Sequence, residues 1–478
     1  MILGVLAALA VSFGASGVAI RPKVRRAKIP ACPFLPGLGW SDFAVEAPAR
    51  LRREMRLNLT LGWLAALNLL LGVGLQWYVV TRLGVGVNTD ALFAGMAVPQ
   101  LVLAVVSASL MHVLVPLLSG EDEQRQHQAA WMFFLGITLL FAIVAAVLAV
   151  AAPVWVKWLL PGFSSSSLDL TVRLTRIQLV GMVFTASVSV LWATYHARRR
   201  FVFAEVSPVL GSIVALAFLV PALPRYGIVA AAWANVGRAG IPVLLLLPGL
   251  GPLRRIRWER AEVQSAWSRL RPLLVGTAYY KTDPLVDRFL SSMAPAGGLS
   301  ILYLGQQIWG AASTIITKAI AAPMVPQLAE QAKAGEWSRF QATFRSRIVW
   351  MAALTGFGFL AFLPLGQPIL RLLIGHGGVT AQNVSSLWRI MVALAGVLVA
   401  GAVGQITSAS FYAFGDTKTP TRLGILTYTL YVPLKVLAFF RFGLIGVAAA
   451  TSLFVILNVL LQLRFLGSIM RSREAVAL

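Results

Sequence analysis

One stretch of the chain gathers the residue types that could do chemistry: Tyr279, Tyr280, Lys281, Asp283, Pro284, Asp287 and Arg288. Asp283 and Asp287 are four apart, so a helix places both carboxylates on one face. Lys281 and Arg288 are seven apart and fall on a neighbouring face. Pro284 removes a backbone hydrogen bond and is expected to kink the helix there. Two carboxylates in such a place could bind a cation or a proton, and two cations could bind a phosphate. The plainer alternative pairs Asp283 with Lys281 locally and leaves Asp287 and Arg288 at the outer interface. Further on, Gln307, Ala311, Thr314 and Lys318 form one helical stripe. That stripe either lines a cavity, or its lysine snorkels to the cytoplasmic interface. Arg238 lies deep in another apolar run between Gly237 and Gly240. Asp90 follows Asn88-Thr89 at the start of a run, where the helix dipole favours a carboxylate, so capping accounts for it.

The elements that position these groups are membrane spans. Of 478 residues, 58% are hydrophobic and 12% charged, against about 25% charged in a soluble domain. Crossing the hydrocarbon takes about 20 residues. Runs of that kind lie at about 59–80, 91–118, 129–151, 174–196, 202–222, 226–249, 272–293, 298–326, 347–366, 386–413, 421–440 and 442–466, and are spans 1 to 12 below. Another run, 2–20, precedes them. It lacks a positive start, so it is a poor signal peptide. It reads as an extra N-terminal helix in preference to a start codon set too far upstream.

Loop charges orient the spans. Arg21, Lys23, Arg25, Arg26, Lys28, Arg50, Arg52, Arg53 and Arg56 make 21–58 cytoplasmic. Alternation then puts Arg198–Arg200, the basic 250–271 loop, Lys333 to Arg345, Lys418 and the tail on the same side. The outer loops carry few cations. The net charge of +24 is thus spread over short cytoplasmic loops, not gathered on a nucleic-acid-binding face.

The two halves repeat. Val115-Pro116 recurs as Val325-Pro326, 210 positions on, and Arg225-Tyr226-Gly227 as Arg441-Phe442-Gly443, 216 on. Tyr195 with Pro208 matches Tyr412 with Pro420. Each half holds an even number of spans, so the repeats run parallel in the membrane. The expected fold is an all-α polytopic membrane protein of two parallel six-helix bundles around a central cavity. Residues 1–58 form an apolar segment and basic linker, 59–250 and 272–466 the bundles, 251–271 a second basic linker, and 467–478 a cytoplasmic tail.

Motifs for an ATP-driven pump, a metalloprotease or a serine hydrolase are lacking, and the expectation is a transporter and not an enzyme. One cysteine, Cys32, and four scattered histidines offer no disulfide framework or metal cluster.

The order of short motifs resembles the MurJ/MviN family of lipid II flippases, in the multidrug/oligosaccharidyl-lipid/polysaccharide exporter superfamily. It is carried by Asn88-Thr89-Asp90-Ala91-Leu92-Phe93 through Pro99, Val115-Pro116, Asp287-Arg288, Ser300-Ile301-Leu302-Tyr303, Val325-Pro326, and Phe411 to Pro420 with its Gly-Asp-Thr-Lys-Thr-Pro run. The resemblance implies flipping of an undecaprenyl-pyrophosphate-linked glycan across the bacterial inner membrane by alternating access. The substrate is a lipid II-like peptidoglycan precursor or an exopolysaccharide unit, and glycan-synthesis proteins are the implied partners beside membrane lipids. Lys281, Arg288, Lys318 and Arg238 are the candidates for the pyrophosphate, with Gln307, Thr314 and Tyr280 as polar cavity residues. The resemblance also implies Na+ or H+ as coupling ion, and Asp283, Asp287 and Asp416 as its candidate ligands, with no other cofactor. The chain departs from the family in three ways. Spans 1 and 2 lack the family's cavity arginines, Gln306-Gln307 stands where an Asp-Arg pair is expected, and span 12 is the last span expected here where the resemblance implies two more. A multidrug/cation antiporter of the same superfamily and a non-transporting scaffold of a glycan-synthesis complex are the alternative functions.

Overall fold

The computed structural model describes residues 40–119, 123–252, 264, 266–268, 270, 278–320, 324–416 and 418–477. The 2–20 run, Cys32 and most of the 251–271 linker lie outside the described residues. Those described are helical apart from short turns. Hydrocarbon offers backbone groups no partner, so each span must satisfy its own.

Span 1 is the later part of helix Trp40–Leu83. Span 2 is broken into Val87–Gly95 and Ala97–Leu118. Spans 3 to 6 are Glu123–Leu159, Ser165–Ala197, Phe201–Tyr226 and Ile228–Leu246. Span 7 contains a tight turn, Tyr280–Thr282, that runs into Asp283–Ser292. Span 8 is Gly298–Ile320, followed by Met324–Lys333. Span 9 is Trp337–Ile374, and span 10 is split into Ala381–Ala393 and Ala395–Ala413. Spans 11 and 12 are two helices that follow one another within Lys418–Ala477, separated by a kink at Gly443. Several helices outrun their apolar run: span 3 was expected over 129–151 and extends over 123–159. Helix propagation adds one bond per residue and does not stop at the edge of the hydrocarbon.

Pro284 does not kink a continuing helix as expected. It stands in the first turn of Asp283–Ser292, where a missing N–H costs little, and the distortion falls just ahead of it at Tyr280–Thr282.

Nine helices among the described residues are long and apolar enough to cross a membrane. One of them, Lys418–Arg471, holds both spans 11 and 12. Span 7 is described only from residue 278, too short a stretch to count, and span 8 carries Gln306, Gln307 and Lys318, a polar run expected to face protein or a cavity in preference to lipid.

The repeat is visible in the backbone. Gly227 opens span 6 at φ 56 and ψ −141, and Gly443 opens span 12 at φ 62 and ψ −143. Both hold a conformation almost closed to other residues. Trp63–Leu478 form one compact unit, while the unit that ends at Gly62 is described only from Trp40, as helix. The largest core cluster joins Leu75, Phe93 and Leu174 of the first bundle to Leu302, Trp309 and Met391 of the second.

Gly443→Ala should cost about 1–3 kcal/mol, the usual strain of this backbone region, and lower the thermal midpoint in detergent. Gly424→Ala, in a helix with open space around it, should leave the midpoint unchanged or raise it slightly.

Candidate functional site

Asp90 was expected to cap its own helix. Instead its carboxylate reaches across to the other bundle. Oδ2 accepts from the Gly297 backbone N–H at 2.6 Å, and Oδ1 accepts from the backbone N–H and the hydroxyl of Ser300 at 2.8 and 2.6 Å. These are free donors at the start of span 8, and a charged acceptor there is favoured by both the hydrogen bonds and the helix dipole. Thr89 serves the home helix, its Oγ1 accepting from Gly86 N–H at 3.1 Å. Asp90 is 4% exposed and Ser300 fully buried. Their separation of 210 positions is also the offset of the internal repeat, so equivalent points of the two halves meet here.

Neighbouring loops close the same end. Gly378 N–H donates to the Thr81 carbonyl at 2.8 Å, and Gly378 lies so close to Gly84 that a Cβ on either would collide with the other's backbone. Gly162 N–H donates to Ser292 Oγ at 3.4 Å. The two bundles are therefore clasped at the end that the loop charges assign to the outer side.

Tyr303 of span 8 lies just inside the clasp. Its ring stacks on Phe93 at 4.5 Å, and its hydroxyl accepts from Gln76 and Gln100 at 3.1 and 3.4 Å. The Arg288 guanidinium lies 4.7 Å over the same ring. Arg288 is 2% exposed, and its Nε and Nη1 find no hydrogen-bond partner among the described residues.

In the second bundle, spans 7 and 11 meet through charge. Lys435 Nζ stands 2.8 Å from Asp283 Oδ1 and 2.5 Å from Asp287 Oδ1. The Tyr431 hydroxyl donates to Asp283 Oδ2 at 3.5 Å and lies 2.8 Å from Thr451 Oγ1. Gln306 of span 8 donates to Asp287 Oδ2 at 2.8 Å. Thr282 pairs with Tyr428 at 2.9 Å and Tyr279 with Thr429 at 3.0 Å, seating the tight turn of span 7 on span 11.

In the first bundle, spans 2, 4, 5 and 6 enclose a cavity of about 540 Å³ lined by Gln100, Gln178, Thr185, Trp192, Asn235 and Arg238 among others. Arg238 Nε donates to Ser212 Oγ at 2.9 Å, and Ser212 donates to Asn68 Oδ1 at 3.0 Å. Gly72 of span 1 leaves the room the guanidinium occupies. Among the described residues no carboxylate pairs with Arg238, and none lines this cavity.

The sequence-predicted residues divide accordingly. Asp283 and Asp287 come together, but on Lys435 and not on Lys281, which is exposed. Arg288 is walled in, Arg238 faces the first-bundle cavity, Gln307 is half-buried and Thr314 exposed. The side chains of Tyr280 and Lys318 lie outside the described residues. Asp416 joins none of these. Its Oδ1 accepts from Lys418 and Thr419 N–H at 3.0 Å, capping span 11 in an exposed loop. Hydrogen bonds from Thr419, side chain first, hold its carboxyl below the usual range. The sequence reading passed over Lys435. Its signal was available: a lysine in the middle of apolar span 11 demands a buried partner.

The family model described as "Lipid II flippase MurJ" matches residues 79–474. The probable lipid II flippase MurJ of Vibrio cholerae is 22% identical over 435 residues, covering 86% of this chain and 83% of that protein. The lipid II flippase MurJ of Burkholderia cenocepacia is 22% identical over 407 residues, covering 79% and 78%. Among solved structures, a lipid II flippase MurJ in an inward closed conformation gives a TM-score of 0.75 at 16% identity, covering 86% of this chain and 87% of that one. An inward-facing multidrug resistance MATE family transporter of the MOP superfamily gives 0.74 at 14% identity, covering 87% and 96%. These two share the fold.

Asp90→Ala removes three charge-assisted bonds from the clasp, each worth about 1.5–3 kcal/mol. In a Cys32→Ser background, Gln100→Cys should become at least about tenfold more reactive to an impermeant thiol reagent added from outside. Unchanged labelling would show that the clasp does not close the outer entrance.

Proposed function

The chain belongs to the lipid II flippase MurJ family, and on that footing we propose that it carries lipid II, an undecaprenyl-pyrophosphate-linked glycan, from the inner to the outer leaflet. Membership makes it a multi-pass bacterial inner-membrane protein and a transporter, not an enzyme. The observation that carries the substrate reading is Arg238, a cation with no carboxylate partner among the described residues, facing a largely apolar cavity into which Gln100, Gln178, Thr185, Ser189 and Asn235 place amides and hydroxyls. A guanidinium in such a place suits a pyrophosphate, through charge-assisted bonds that strengthen as water is excluded. The surrounding amides suit sugar and peptide groups.

The clasp gives the state. With the outer ends held together by Asp90 and the glycine loops, the cavity can be loaded only from the cytoplasmic side. Release outward requires the bundles to part at Asp90, Ser300 and Tyr303. Parting would also uncover Arg288, whose unmatched N–H groups would then meet the anionic headgroup. In this reading Arg238 and Lys281 receive the pyrophosphate and Arg288 contacts it on the way out. The antiporter alternative wants a free carboxylate in the cavity. Those of span 7 are instead engaged by Lys435.

Translocation of fluorescent lipid II in proteoliposomes tests the reading, with another undecaprenyl-pyrophosphate oligosaccharide alongside. Arg238→Ala should slow lipid II transport about tenfold or more, in keeping with the loss of a hydrogen bond to a charged group, and Lys281→Ala should slow it less. Faster transport of the other glycan would reassign the substrate to an exopolysaccharide unit. A folded wild type that moves no lipid-linked sugar would sink the flippase reading.

A further inference from the structure

We propose that Lys435 is a built-in cation that fills the place a free monovalent ion would take between Asp283 and Asp287, so that this site takes no Na+. The two carboxylates lie one helical turn apart, in a part of span 7 packed against spans 8 and 11. Two like charges so close, Asp287 buried and Asp283 partly buried, cannot both stay ionised without a counter-charge. The oxygens gathered there are those a small hard cation prefers: Asp283, Asp287, the Tyr431 hydroxyl and, behind it, Thr451.

The counter-charge present is covalent. Lys435 is fully buried, and its ammonium lies within hydrogen-bond distance of one oxygen from each carboxylate. It also sits 4.8 Å over the Tyr431 ring, a second favourable surface for a cation. An ammonium and a sodium ion carry the same charge, and one excludes the other from a space this small. The residues present therefore do not fit a resident Na+. Two consequences follow. The tie between spans 7 and 11 persists whatever the ion gradient, and the driving force for transport does not enter through sodium at this position. Removal of the lysine charge would leave two carboxylates and an oxygen-lined gap, which is a monovalent cation site.

The consequence for coupling rests on the transporter reading, but the site itself does not. The test reads ion binding and stability, so its failure is distinguishable from a failure to transport. Purified protein is compared in NaCl and in choline chloride at equal ionic strength, by thermal unfolding and by binding of radioactive sodium. The wild type should show no sodium-specific shift and bind no sodium. Lys435→Gln should have a lowered midpoint in choline chloride, raised by NaCl by about 2–5 °C, and should bind sodium. Adding Asp283→Asn and Asp287→Asn to that variant should abolish the response. A folded Lys435→Gln protein indifferent to sodium overturns the proposal. Should that variant not fold, the wild type decides. Sodium binding that Asp287→Asn removes overturns the proposal, and absence of binding supports it.

Discussion

A charge held away from water must meet donors or an opposite charge, and in this molecule nearly every buried charge meets its partner on a different span. Asp90 of span 2 is satisfied by the start of span 8. Asp283 and Asp287 of span 7 are ion-paired with Lys435 of span 11, and Gln306 of span 8 donates to Asp287. Because the low dielectric makes an unpaired ion costly, these groups fix which helices may separate. The same bonds that stabilise this arrangement define where it must break.

The two sets of contacts differ in kind. The Asp90 clasp joins the bundles through backbone N–H groups and a hydroxyl, and water could replace those partners once the outer end opens. The Lys435 cluster lies wholly within the second bundle and replaces a hydrated ion by a tethered one. One is suited to opening and closing, the other to keeping spans 7 and 11 together while the bundles move. Tyr303 stands between them, touching Phe93, Gln76 and Gln100 of the first bundle and Arg288 of the second.

Arg238, like Arg288, is in no ion pair among the described residues, and it gives the cavity its character. Its guanidinium is held by Ser212, which is fixed in turn by Asn68, and these neutral groups orient it without cancelling its charge. Gly72 makes the space for it. A positive group positioned in this way in the first bundle is the counterpart of the lysine-paired carboxylates in the second. The cavity arginines that the family resemblance leads one to expect in spans 1 and 2 are absent, and span 6 supplies the cation.

Membrane class, the placing of the apolar spans along the chain and the internal repeat were legible in the sequence, because the bilayer imposes a length on each apolar run. Even Gly227 and Gly443, which hold the same rare backbone conformation, were marked by matching motifs. Asp283 with Asp287 on one face was legible from their spacing. What filled the gap between them was not, since Lys435 lies about 150 residues away and helical periodicity says nothing about which neighbouring span a face will meet. Asp90 was read as the cap of its own helix because the dipole argument is local, and only packing showed that its oxygens point to the other bundle. Spacing along a helix places charges on faces, but in a medium that cannot solvate them the partner is chosen by the helix packed opposite, and that choice belongs to the tertiary structure.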